Sequence, residues 1–374
     1  MANWCKRVCS ALLAFSLAGM VPPVSTLAQE GDSLPAQGEP VGQDDNAYFT
    51  YYDRYVSVPF GETIMLSAGQ AAVAGGQAEN GFLGEAASLL LKQGGEAVWQ
   101  IVVPEDARYI VKVTYVGDEG NRKDNAVDLL VDGDAPFDES QDLPLTRIWK
   151  DATAIQQDSA GNDRIPKQEQ VLRWNTTPLQ DYSLFTDRPL TLYLSAGEHT
   201  LKLKNAGETL HIARVELTAP DTVPSDEETK AAYSKAGYAA VERYIQKVQA
   251  EQTSCKSSQS IYPTYDRNSP ATEPYDVVKI KRNTIGQSNW STPGDWIVYN
   301  VTVPEDGLYY LTLKYRQNIQ IGMSTFRSIY VNGKIPSAAY ENVLFPYGVN
   351  WENQTIVDEN GEPCPLYLQA GENE

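Results

Sequence analysis

Histidine and cysteine are scarce in this chain, with two and four copies in 374 residues. Imidazole is the commonest metal ligand and the side chain that titrates near neutral pH. Metal hydrolysis and histidine-based acid–base chemistry therefore have little to draw on. His199 follows an Ala-Gly-Glu turn into a strand and His211 sits on a strand, positions that read as structural. No Gly-x-Ser-x-Gly elbow, glycine-rich phosphate loop or His-Glu-x-x-His is present. Among the 49 carboxylates no glycosidase pair can be singled out without its fold context. Positive charge is short too: 30 Lys and Arg against 49 Asp and Glu give a net charge of −19. Such a surface repels phosphate backbones and anionic lipid, so nucleic-acid and membrane partners are disfavoured. The charge is spread along the chain and marks no site.

Long apolar runs are also missing, and no segment is long enough to span a bilayer. The short run Ala11 to Val21 lies behind Lys6 and Arg7 and ahead of Thr26-Leu27-Ala28. That order reads as a secretory signal over residues 1–28, with a buried N-terminal helix as the alternative. Neither Cys5 nor Cys9 follows the apolar run, which argues against a lipid-anchored cysteine. The expected location is secreted or at the cell surface. Beyond the leader only Cys255 and Cys364 remain, without metal spacing. Export permits a disulfide between them, and a loop of that length could add about 4–5 kcal/mol. Two unrelated buried thiols are the alternative.

What the chain does have is a repeat. Val103-Pro104-Glu105-Asp106, Tyr109, Tyr115, Val131-Asp132-Gly133 and Pro136 return as Val303-Pro304-Glu305-Asp306, Tyr309, Tyr315, Val331-Asn332-Gly333 and Pro336. Leu192-Tyr193-Leu194-Ser195-Ala196-Gly197-Glu198 is echoed by Leu366-Tyr367-Leu368-Gln369-Ala370-Gly371-Glu372. A period this long means duplicated domains. Trp99, Ile101 and Val103, then Tyr109, Val111, Val113 and Tyr115, alternate as half-buried strands. The fold class expected is mainly β: two tandem β-sandwiches joined by a helical linker, the second truncated at its C-terminus.

The expected boundaries are an acidic linker and short aromatic helix over 29–55, a first sandwich over 56–219, a linker helix over 220–247 and a second sandwich over 248–374. Ser225-Asp226-Glu227-Glu228 is a capping box opening that helix, which is expected to run to about Val248 as a strut between sandwiches. An insertion over Asp151–Arg188 sets copy one apart.

Trp296 to Val303, Pro304-Glu305-Asp306-Gly307-Leu308-Tyr309, Val331-Asn332-Gly333, Trp351, and Leu368 with Ala370-Gly371-Glu372-Asn373 resemble carbohydrate-binding module families 6 and 35. Val248-Gln249-Ala250-Glu251 resembles their opening strand. The resemblance implies a galactose-binding-like β-jelly-roll and an oligo- or polysaccharide partner. The tandem order and Tyr262 to Pro270 are also similar to the front of large solute-binding proteins of bacterial sugar ABC transporters. An appendage of a glycoside hydrolase and an adhesive spacer are further readings.

Sugars lie on flat aromatic faces, with fixed polar groups pairing their hydroxyls. Strand aromatics at period two belong to the core, so loop aromatics are the candidates. Trp290, Tyr347 and Trp351 sit among Gly, Pro, Asn and Ser, and Asn318, Arg327 and Asn350 are candidate hydroxyl partners. The resemblance implies stacking at Trp351. The counterparts expected in copy one are Trp149, Arg147 and Trp174. In some relatives a Glu at the position of Glu251 binds Ca²⁺, which makes Glu251 a candidate metal ligand; a solvated or hydrogen-bonded Glu is the alternative. No other cofactor is expected, and no catalytic residue is assigned.

Overall fold

The computed structural model describes residues 46–120, 123–184, 186, 188–319 and 321–374. The expected leader and most of the acidic linker lie outside the described residues. Residues 44–374 form one compact unit. It is mainly β, as the alternation of copy one requires. After helix α1 (Tyr48–Tyr55), the first sandwich holds strands β1 (Ile64–Ser67), β2 (Ala72–Glu79), β3 (Ser88–Val103), β4 (Ala107–Gly117), β5 (Asn125–Val131) and β6 (Leu143–Leu145). It continues through β7 (Trp149–Asp151), β8 (Gln168–Gln170), β9 (Asn175–Pro178), β10 (Thr191–Leu194), β11 (Gly197–Asn205) and β12 (Leu210–Thr218). Helix α2 (Asp226–Ala236) follows, then β13 (Cys255–Lys256), β14 (Ile297–Val298), β15 (Val301–Val303), β16 (Gly307–Tyr310) and β17 (Thr312–Tyr315). The last five are β18 (Thr325–Arg327), β19 (Val343–Phe345), β20 (Glu352–Thr355), β21 (Pro365–Leu368) and β22 (Gly371–Asn373).

The first core is built on one antiparallel path, β10-β4-β12-β3-β11-β5-β6, with β1 on β12, β2 on β3 and β9 on β4. Strand β3 is long enough to serve both halves: Leu89–Leu91 pair β12, while Glu96–Val103 pair β11. It turns the corner at Gly94-Gly95. Gly94 has φ 76°, and a Cβ on Gly95 would stand 2.7 Å from the Gly75 carbonyl oxygen of the neighbouring strand, so both positions demand glycine. Trp99, Tyr109 and Tyr115 are buried as expected; the Trp99 indole donates to the Ser67 carbonyl at 2.8 Å and the Tyr115 hydroxyl to Thr146 at 2.7 Å.

The second sandwich repeats the plan around a separate core. Turns at Asp132-Gly133 and Asn332-Gly333 both take positive φ, at 52° and 94° against 51° and 81°. Strand β21 pairs β16 as β10 pairs β4. Among the described residues β12 has no counterpart in the second sandwich. Leu311, Leu313 and Tyr315 are accordingly half-buried, whereas Val111, Val113 and Tyr115 are sealed.

Three expectations need correction. Helix α2 stops at Ala236, not near Val248. Gly237 takes the left-handed conformation (φ 74°), and the chain then runs extended, with Leu308 donating to the Ala239 carbonyl and Val241 to that of Leu308. Nor is α2 a strut. Tyr238 stacks on Tyr367 at 3.9 Å and Lys230 pairs with Asp358, just as Tyr55 of α1 stacks on Tyr193 at 4.0 Å. Each helix thus packs on its own sandwich and opens its repeat. The insertion is also shorter than Asp151–Arg188, because β9 within it pairs β4 as β20 pairs β17. Of the two readings of the cysteines, the unpaired one holds: Cys255 and Cys364 are buried free thiols, Cys255 on β13 and Cys364 in the second core.

The true insertion, the stretch between β6 and β9, is what joins the halves. Strands β8-β7-β13-β14 form a four-stranded sheet with two strands from each side. Lys256, fully buried there, points its ammonium at Asp151. Burial lowers the lysine pKa and the Asp151 bond partly restores it. Removing one partner of such a pair leaves a buried charge uncompensated. We expect Lys256→Met to cost about 3 kcal/mol in urea unfolding, and the double variant Lys256→Met/Asp151→Leu to regain part of that loss. Additive losses would show that the pair is not coupled.

Candidate functional site

The residues from Glu251 to Trp296 hold little regular structure and rely on side chains to satisfy the backbone. Asn283 does this from inside: its Oδ1 accepts from Asp266 N at 2.8 Å, and its Nδ2 reaches the Asp266 and Pro274 carbonyls. Asp266 is thereby fixed, with a side chain 2% exposed. One oxygen of its carboxylate accepts from the Trp351 indole N–H and from Arg316, both at 2.8 Å. The Arg316 guanidinium lies over the Trp351 ring, 4.9 Å from its centroid. Burial raises the Asp266 pKa, but the bonds from Trp351, the Asn268 amide and Arg316 outweigh it, and the carboxyl stays below its ordinary value. Trp351 is therefore half-buried and held at one angle, neither sealed in a core nor swinging on a loose rim.

The expected site residues divide into two groups. Tyr347, Asn350 and Trp351 lie on the loop between β19 and β20. Gly348 on that loop donates to the Gln317 carbonyl at 2.8 Å, which brings the neighbouring loop with Asn318 alongside. Asn318 and Asn350 are exposed and Tyr347 is half-buried. Ile319, Ile321, Met323 and Val349 are exposed on the same two loops. Trp290 and Arg327 form the other group: the Arg327 guanidinium stacks 4.6 Å over the Trp290 ring, and the indole donates to the Asp295 carbonyl at 3.0 Å. Arg327 pairs with Val343 at the start of β19, the strand that leads into the Tyr347 loop. Sequence reasoning missed Asp266 and Arg316. Arg316 follows Tyr315 where copy one has Val116, a departure from the repeat that marks it in retrospect.

Copy one presents no equivalent platform. Trp149 is buried in the joining sheet. Arg147 is buried against Glu208, Asn125, Gln170 and the backbone of Asp118 and Lys123. Trp174 holds the place of Trp351 before the paired strand, but Phe82 packs edge-on against it at 5.9 Å. The metal expectation does not fit. Glu251 sits in a turn instead of an opening strand, because among the described residues no β12-like partner is there to pair with it. Its Oε2 is buried without a hydrogen-bond partner, and burial raises its pKa. A hard cation wants six or more oxygens, and among the described residues no three carboxylate, His or Cys side chains gather.

One cluster has the outline of a nucleophile, base and acid. His199 Nδ1 meets Asp132 at 2.7 Å and its Nε2 lies 3.3 Å from the Ser195 hydroxyl. Yet Nε2 is closer, at 2.9 Å, to the Ser195 carbonyl, which holds it as a donor. Copy two decides its role. There Asn332 donates to Asn373 at 3.0 Å and Asn373 to the Gln369 carbonyl at 2.8 Å, the same staple without a titratable group. The cluster fastens a turn. Among the described residues, no helix is long and apolar enough to cross a membrane.

No protein-family model matches this chain, and no curated protein does. Solved structures similar to it include a family 35 carbohydrate-binding module from Clostridium thermocellum, 12% identical, with TM-score 0.26, covering 43% of this chain and all of the module. The C-terminal family 6 module of a marine laminarinase from Zobellia galactanivorans is 13% identical, also at 0.26, covering 42% of this chain and all of the module. A Paenibacillus cycloisomaltooligosaccharide glucanotransferase is 18% identical at 0.28, covering 50% of this chain and 24% of the enzyme.

Burial lowers the His199 pKa, but the bonds to Asp132 and the Ser195 carbonyl outweigh it and leave the value raised. A raised folded value stabilises fully below the unfolded pKa, about 6.5, and the gain is lost as pH rises through the higher folded value. We expect His199→Asn, which copies the Asn373 staple, to reduce the fall in stability over that window, measured as melting temperature against pH. An unchanged pH slope would show that the imidazole carries no linked charge.

Proposed function

We propose that this chain is a secreted, non-catalytic carbohydrate-binding region that lodges a sugar ring on Trp351. The observation that carries this reading is the indole held at a fixed angle by buried Asp266, between two loops bearing Asn318, Tyr347 and Asn350. A pre-set aromatic face spends little entropy on ordering when a pyranose covers it. Arg316 covers one face of the ring, so a sugar would use the other. The motif resemblance to families 6 and 35 supports the same assignment, and the basic, apolar, small-residue order of Met1–Ala28 supports export. Attachment to a larger sugar-uptake or sugar-cleaving system fits this reading and adds no chemistry to the described residues.

A spacer without sugar binding is favoured by one observation, the indole face already occupied by Arg316. A glycan array with and without Ca²⁺ separates the two. We expect Trp351→Ala to lower glycan retention at least tenfold while the near-ultraviolet circular dichroism keeps its shape. Wild-type binding by the variant removes the site, and an array on which nothing is retained leaves the spacer.

A further inference from the structure

The Trp290 group is not a margin of the Trp351 platform. It lies where the two sandwiches meet. The Tyr182 ring of the first sandwich rests directly on Gly294 of the second, where a Cβ would stand 2.3 Å from the ring. Trp290 is tied to the next residue, Asp295, through its indole N–H. Asp295 in turn accepts from Ser257 at 2.7 Å, on the segment that the joining sheet holds. Tyr330, 61% exposed, extends from the strand end that carries Arg327.

The chemistry of this seam is unfinished. Of the five donors of a guanidinium, Arg327 gives one to the Phe326 carbonyl at 2.7 Å, and among the described residues it has no ion pair within 4.0 Å. Burial lowers its pKa, with Asp295 close enough to offset part of that. A flat cation, aromatic rings and a nearby carboxylate supply an apolar face and the few placed polar groups that a small hydroxylated ligand needs.

We propose that Trp290, Arg327 and Tyr330, with Tyr182 from the first sandwich, form a second subsite in the seam, taking a sugar unit of the glycan whose other end rests on Trp351. This rests on the carbohydrate reading above. Arg327 pairs β19, the strand that leads into the loop of Tyr347 and Trp351, so a chain of several sugar units can reach from one place to the other where a short one cannot. Joint occupation raises affinity through effective concentration, without new contacts at either place.

The test is calorimetry of the full chain against cello-, laminari-, xylo-, manno- and isomalto-oligosaccharides of two and six units. For the series bound best by wild type, Arg327→Met and Tyr330→Ala should each weaken the hexasaccharide about tenfold and leave the disaccharide within twofold. Tyr330 is exposed, so its variant guards against misfolding of the other. Hexasaccharide affinity unchanged in both variants overturns the seam subsite and leaves Trp351 standing. Loss in both, with Trp351→Ala silent, upholds the seam and overturns the platform. A wild type that binds no member overturns the seam subsite.

Discussion

A long segment with little regular structure must still satisfy its backbone, and the 46 residues from Glu251 to Trp296 meet that demand by docking. Buried Lys256 against Asp151 anchors its start. Asp163 then accepts from Arg282 N and from Lys281 while donating its own amide to Ile280. Asn283 and Asp266 clamp the middle, and Ser257 with Asp295 closes the end. Both aromatic candidates depend on this packing, since the Trp351 indole is oriented by Asp266 and that of Trp290 by Asp295. Taking charge out of water is costly unless each group is paired, which is why so many carboxylates of an acidic chain are spent here.

The duplication was legible in the sequence because turns and strand ends tolerate little change. The Asp132-Gly133 and Asn332-Gly333 turns need residues that accept positive φ, and they kept them. The core aromatics of copy one were equally legible from alternation. Helix α2 was not, since its apolar positions continue past Gly237 while the backbone does not; the glycine was the stronger signal. The opening strand expected at Val248 does not form, for a different reason. A strand is defined by its partner, and the pairing that β12 gives β1 has no equivalent beside Glu251 among the described residues.

The site was half legible. Loop aromatics stood out, but six candidates chosen by residue type could not be sorted into two places without the register of β18 on β19. Asp266 and Arg316 were hidden because a buried ion pair leaves no periodic trace. Its partners lie 50 residues apart in sequence, on a loop and just beyond β17.

The same duplication argues about function more strongly than either copy alone. In copy one the hydrogen-bonded His199 and Asp132 look chemical; in copy two Asn373 and Asn332 do the same work with no proton to move. What both copies retain is structural, and what only one retains is open to function. By that rule the His–Asp pair is a fastening. The platform obeys it in reverse: Trp174 and Trp351 share a place in the fold, yet one meets Phe82 edge-on and the other is held by Arg316 and Asp266. Copy one has instead put its extra residues into the joining sheet. The first sandwich thus holds the second in place, and its Tyr182 reaches the seam where Trp290 and Arg327 stack.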